Sequence, residues 1–247
     1  MTYDIVTFDL DGTLVDTAPV ITEAANRALK AHGLPPHPAA QITLLMGEGL
    51  RQLMLKLLAR LYMAQPSLTK MVRAEAVLES FEHQLAAMFG MSITPYVGAR
   101  EALSGLKDAG VRLACVTNKE LHHARRVLRA ARLDNFFELV VGGDSLPQKK
   151  PHASVLRYVV ETLNGNMRQA AHVGDSSIDV KAARNAGVAA WAVPYGYNAG
   201  VPIADSQPQH IFAGLTQVAE HVLANRPAPG GSVISTSRSP LYLGKPS

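Results

Sequence analysis

After about residue 98 the chain alternates short apolar runs with helical patterns, and few folds accommodate that alternation. Strands with no polar face need helices on both sides, which is the arrangement of a parallel sheet built from βα units. The runs DIVTFD (4–9), VRLACVTN (111–118), FELVVGG (137–143), AAHVGD (170–175) and VAAWAV (188–193) read as strands. Helices are expected at about 99–109, 120–131, 152–164 and 178–186, the last closed by Gly187 as its C-cap.

The interval from Asp16 to Ser92 contains no convincing strand but three stripes of helical period. Ile21, Ala24, Ala25, Ala28 and Leu29 make the first, with Pro19 suited to a first helical turn. Leu50, Leu53, Met54, Leu57, Leu58 and Leu61 make the second, and Met71, Ala74, Leu78, Phe81, Leu85 and Met88 the third. The expected architecture is therefore α/β. A Rossmann-like parallel sheet flanked by helices takes residues 1–15 and 93–225, and an all-helical domain is inserted at 16–92. From 226 to 247 the chain is rich in Pro, Gly and Ser without periodicity, and is read as a flexible tail.

A chain of 247 residues, 47% apolar, is long enough to bury such a core. Its formal charge is +4, and no run of Lys and Arg marks a nucleic-acid or lipid footprint, so a small anionic substrate suits it better than DNA or a membrane. Cys115 is the only cysteine, which excludes an internal disulfide and suits a reducing compartment. Its place in an apolar run marks it as a buried strand residue. His122 and His123 are adjacent rather than at i and i+4, and give no metal pair. The N-terminus carries Asp4, Asp9 and Asp11 where a signal peptide would be apolar, and no stretch of 18 apolar residues occurs. The expectation is a cytoplasmic protein, monomeric or homodimeric.

The chemistry collects at the ends of the strands. Asp9 and Asp11 follow the first in FDLDGTLVDT, Thr117 and Asn118 the second, Lys150 lies in QKKP after the third, and Asp175 and Asp179 lie in GDSSID after the fourth. In an open parallel sheet the ligand crevice lies beyond the carboxyl ends of the strands, so these residues can converge. A turn needs only one Asp before Gly12, and two carboxylates so close would repel unless a cation lay between them. Carboxylates hold a hard cation, and the cation, a hydroxyl and an ammonium hold a phosphoryl group. Ser176 and Asp179 also have the spacing of a capping box, a role compatible with the site.

With DLDGT, VTN, KKP and GDSSID in this order, the chain resembles the phosphatases of the haloacid dehalogenase superfamily, and FDLDGTLVDT, MGEGLRQL and HVGDSSIDVKAARNAG are most like its bacterial phosphoglycolate phosphatase branch. The resemblance extends to about residue 225 and implies that the helical insertion is a mobile cap. It implies that Asp9 is the nucleophile and that Asp11 is the acid and base. Mg2+ would be held by Asp9, the Asp11 carbonyl and Asp175, with Asp179 behind them. Thr117, Asn118 and Lys150 would bind the phosphoryl group, Lys150 being preferred to Lys149 because it directly precedes the proline. The implied reaction is Mg2+-dependent hydrolysis of a small phosphorylated metabolite, 2-phosphoglycolate above all, through an aspartyl phosphate. A phosphomutase like beta-phosphoglucomutase would share every one of these residues. Arg51, in the first turn of the helix after Gly49, would pair with a substrate carboxylate where that loop faces the core, the alternative being a solvent-facing helix residue.

Overall fold

The computed structural model describes residues 2–89, 93–224, 226 and 241–242. Strand β1 (Ile5–Phe8) leads into helices α1 (Ala18–Ala31), α2 (Ala39–Thr43), α3 (Leu50–Ala64), α4 (Leu68–Met71) and α5 (Ala74–Met88). There follow α6 (Ala99–Asp108), β2 (Arg112–Val116), α7 (Leu121–Ala130), β3 (Leu139–Val141), α8 (Ala153–Thr162), β4 (Ala170–Gly174), α9 (Ser177–Ala186), β5 (Ala189–Ala192), β6 (His210–Ile211), α10 (Leu215–Leu223) and β7 (Leu241–Tyr242). The strands pair in the order β6-β5-β4-β1-β2-β3-β7, and every pairing is parallel.

Successive side chains along a strand point to opposite faces, and here both faces are dry. Val6, Phe8, Leu113, Cys115, Val140 and Val173 enter one apolar layer, which α6, α7 and α10 share with the helical insertion. Ile5, Ala114, Val116, Leu139, Val141 and Ala170 enter the other, covered by α8 and α9. Every strand read from the sequence is present. β6 and α10 add to them, and α10 buries Leu215, Val218, Ala219 and Val222 on one face.

Within the insertion α1 packs on α5, α3 on α5 and α1 on α2. The first two stripes are buried as expected, and α5 buries Val77, Leu78, Phe81 and Leu85. Met71 departs from its stripe and is 77% exposed. The extended backbone at Val72 and Arg73 separates α4 from α5, so Met71 does not share the phase of the residues that follow. The tail also departs from expectation at one place, since Leu241–Tyr242 lie parallel to β3 at the sheet edge; its other residues, apart from Arg226, lie outside the described ones. Among the described residues, no helix is long and apolar enough to cross a membrane.

Candidate active site

The register of the sheet carries Asp9 and Asp175 to neighbouring strand ends, because Phe8 stands beside Val173 and the Asp9 N–H donates to the Val173 carbonyl at 2.9 Å. Two glycines allow the approach. Gly12 turns the chain with φ +85°, and a side chain there would strike Asp175; one at Gly174 would strike Asp179. Asp9, Asp175 and Asp179 consequently offer carboxylate oxygens within 4.8 Å of one another.

Lys150 lies against this acidic group. Its Nζ is 2.7 Å from Asp179 Oδ1 and 2.9 Å from Asp9 Oδ1, and its side chain is 2% exposed. Burial works against the ammonium, but Asp179 and Asp9 overcome it and hold its pKa above the usual lysine range. Lys149 instead sends its Nζ to the Glu48 carbonyl at 2.5 Å. The lysine next to the proline is thus the one at the site.

Asp179 is fully engaged. Its Oδ2 accepts from the Ser176 N–H and hydroxyl at 3.1 and 2.6 Å, completing the capping box of α9, while Oδ1 accepts from Lys150 and lies 3.2 Å from His172 Nε2. Burial raises an acid, yet Lys150 and His172 outweigh it and Asp179 is held far below the carboxylate range. Burial keeps His172 below the usual histidine range. With Nε2–H donated to Asp179, its Nδ1 accepts from the Thr7 hydroxyl at 2.8 Å. Thr7, His172, Asp179 and Lys150 form a buried line ending on Asp9, and neither Thr7 nor His172 was anticipated from the sequence.

The remaining carboxylates lack comparable neutralisation. Burial, opposed by Lys150 and reinforced by Asp179 and Asp11, pushes Asp9 up to about 6. Burial, then the charges of Asp179 and Asp9, raises Asp175 well above its ordinary value despite hydrogen bonds from the Tyr197 N–H and the Thr13 hydroxyl. The Lys150 contact on Asp9 Oδ1 is an ion pair outside hydrogen-bond geometry, so that buried oxygen has no hydrogen-bond partner. An underneutralised oxygen set around a buried carboxylate suits a hard divalent cation, and Asp9 and Asp175 fit Mg2+.

These groups open into a pocket. The core contributes Asp9, Asp11, Thr117, Asn118, Lys119, Asp175, Ser176 and Tyr197, and the insertion contributes Ile21, Met46, Gly47, Gly49, Leu50 and Leu53. Asp11 is held by Lys119, whose Nζ donates to both carboxylate oxygens at 3.0 and 2.9 Å, and by the Thr17 hydroxyl at 2.5 Å. Thr117 Oγ1 accepts from the Lys119 N–H at 3.2 Å, which leaves its hydroxyl proton to donate.

Asn118 and Arg51 differ from expectation. The Asn118 amide nitrogen donates to the Gly47 and Lys150 carbonyls at 3.2 and 3.0 Å, leaving only its oxygen, an acceptor, which cannot serve a phosphoryl oxygen. Its side chain ties the Lys150 loop to the insertion, and any phosphate contact falls to its backbone. The Arg51 side chain is 57% exposed and faces Glu75 at 3.7 Å. Leu50 and Leu53 take the pocket-facing side of α3, and Arg51, one residue on from Leu50, is rotated away. Lys119, not singled out for the site from the sequence, is the lysine that faces Asp11. Cys115 is buried and its thiol is pushed well up by burial, as a strand residue should be.

The haloacid dehalogenase-like hydrolase family model matches residues 6–193, and the chain belongs to that family. It is 35% identical over 223 residues to a phosphoglycolate phosphatase of Vibrio vulnificus, covering 90% of this chain and 96% of that one. Against a phosphoglycolate phosphatase of Nitrosospira multiformis the identity is 41% over 196 residues, covering 79% and 85%. The crystal structure of a predicted phosphoglycolate phosphatase from Haemophilus somnus superposes with a TM-score of 0.84 at 30% identity, over 90% of this chain and 98% of that one. By family and by these relatives the chain is an enzyme, a hydrolase of the phosphoglycolate phosphatase-like kind.

Proposed function

We propose that the protein hydrolyses 2-phosphoglycolate to glycolate and phosphate through an aspartyl phosphate on Asp9. The observation that carries this reading is the placement of the Asp9 carboxylate between Lys150 and Asp175 at the floor of a pocket that Asp11 also lines. A carboxylate oxygen of Asp9 attacks phosphorus while Asp11 protonates the departing alkoxide. In the second half Asp11 takes a proton from the water that cleaves the acyl phosphate, releasing inorganic phosphate and restoring Asp9. Lys150 and the Thr117 hydroxyl supply positive charge and a donor to the phosphoryl oxygens. Mg2+ held by Asp9, Asp175 and the Asp11 carbonyl would neutralise the anionic substrate and keep Asp9 ionised.

The helical insertion acts as the cap. Ile21, Met46, Leu50 and Leu53 place an apolar wall opposite the carboxylates, which excludes water while the acyl phosphate forms. Substrate choice rests on Lys119. The carboxylate of 2-phosphoglycolate is one methylene from the oxygen that Asp11 protonates, so a cation bonded to Asp11 is within reach of it. A phosphate-release assay across small phosphomonoesters with Mg2+ tests the reading, which expects 2-phosphoglycolate to have the highest kcat/KM. Sugar-phosphate interconversion without phosphate release would overturn it in favour of a mutase.

A further inference from the structure

The described residues contain a second convergence of ligand-type side chains, away from the catalytic carboxylates. Glu82 on α5, in the helical insertion, and His122 and His123 on α7, in the core, present ligand atoms within 4.8 Å of one another. His123 Nε2 is 2.9 Å from Glu82 Oε2, and His122 Nε2 is 3.9 Å from the same oxygen. Adjacency in sequence argued against a metal pair. The structure overcomes that objection by bringing the two rings, tilted 40° to each other, to 3.8 Å between centroids, with both Nε2 atoms toward one carboxylate from another element.

We propose that Glu82, His122 and His123 form a binding site for a borderline divalent cation of the Zn2+ or Co2+ type, bridging the helical insertion and the core. The geometry needs little adjustment. Bonds of about 2.0–2.2 Å in a tetrahedron put ligand atoms roughly 3.4 Å apart, and the observed 2.9 and 3.9 Å bracket that spacing. Two imidazoles and one carboxylate are a donor set preferred by Zn2+, Co2+ and Ni2+ over Mg2+, which selects oxygen. Water would complete the coordination.

The surroundings agree with this. The hydrogen bond from His123 keeps Glu82 below the usual carboxylate range, so it is an anion at neutral pH. Burial, then the neighbouring His123, keeps His122 below the usual histidine range, which leaves it neutral and able to ligate. His123 is fixed in place, since its side chain is 1% exposed and packs edge to face on Phe89 at 5.3 Å. His122 and Glu82 are 60% and 45% exposed, so a cation can reach the site from solvent. Glu120 and Asp144 add negative charge near His122, and Arg51 is the opposing cation near Glu82.

The experiment titrates Co2+ into the full chain in saturating Mg2+, so that the catalytic carboxylates are occupied by the oxygen-seeking ion. Visible d–d absorption should rise with one equivalent per chain and be displaced by Zn2+, which binds such donors more tightly than Co2+. His122→Ala and Glu82→Gln, both at exposed positions and checked for an unchanged fold by circular dichroism, should each weaken binding by more than about tenfold, because even partners of a ligand are worth 10–100-fold. Asp175→Asn should retain it. Zn2+ should also raise Tm in the unaltered protein and in Asp175→Asn, but not in His122→Ala. Absorption that never appears would overturn the site, as would absorption that survives both surface variants or disappears in Asp175→Asn.

Discussion

Replacing Lys119 with methionine separates recognition of the substrate carboxylate from catalysis of phosphoryl transfer. Methionine keeps most of the stem volume, so the cavity left in the buried position is small. The lost ammonium is 1% exposed, bonds both oxygens of Asp11 and rests 4.5 Å over the Phe89 ring. As the proposed acid and base, Asp11 would serve every phosphomonoester, so damage to it should lower kcat/KM for all substrates alike. The proposed contact to the glycolate carboxylate would serve one substrate only. Ethyl phosphate has a similar alkoxide leaving group without the carboxylate, so the ratio of kcat/KM for 2-phosphoglycolate to that for ethyl phosphate isolates the contact. A hydrogen bond to a charged group contributes about 1.5–3 kcal/mol, and burial places Lys119 toward the upper end. At about 1.4 kcal/mol per tenfold, the ratio should fall roughly ten- to a hundred-fold in Lys119→Met. Steady-state phosphate release on both substrates measures it. An unchanged ratio, with both activities reduced together, would show that Lys119 serves Asp11 alone and would refute the reasoning.

Arg51→Ala should leave that same ratio unchanged and stability within about 0.5 kcal/mol, since its Glu75 partner is exposed and such pairs contribute little; a selective loss on 2-phosphoglycolate would return Arg51 to the site. His172→Val removes the donor to Asp179 without touching Asp9, and kcat should fall with little change in KM while the acidic limb of the pH–rate profile moves; His172→Gln, which can still donate to Asp179, should recover part of kcat, and an unaltered profile in the valine variant would reduce His172 to packing. A Mg2+ site at Asp9 would also have a pH signature. Burial raises Asp9 from 3.8 to about 6, so its protonated form stabilises the metal-free fold below about pH 4 and that contribution is gone above about 6, whereas Mg2+ requires the anion. Addition of Mg2+ should therefore raise Tm more at pH 7 than at pH 5, and an equal rise at both would contradict the assignment of Asp9 as ligand.

The sheet was legible because strands buried on both faces leave continuous apolar runs, and the site because DGT, TN and GD each stand where such a run ends and KKP follows in the loop after the third. Much of what escaped depended on distant neighbours. The Leu50 and Leu53 stripe already implied the outward orientation of Arg51, the alternative to its pairing with a substrate carboxylate. Asn118 looked like a phosphate ligand until two carbonyls from separate loops took its amide. His172 reads as one more residue of a strand, and only the capping box that turns Asp179 back over β4 gives it a partner. Glu82 lies 41 residues from His123, too far for local spacing to join them. The stripe of α10 was present at Leu215, Val218, Ala219 and Val222 and was not read as a helix.

The proposed chemistry stands on a covalent phosphate at Asp9. Acid-quenching the Mg2+-loaded enzyme during turnover of 2-phosphoglycolate, reducing acyl phosphates with borohydride and sequencing the peptides by mass spectrometry tests it directly, because reduction converts a phosphorylated aspartate to homoserine. Homoserine is expected at position 9 in samples quenched during turnover and not in samples quenched before substrate is added. Homoserine at Asp11 or Asp175, or undiminished turnover by Asp9→Asn, would contradict it.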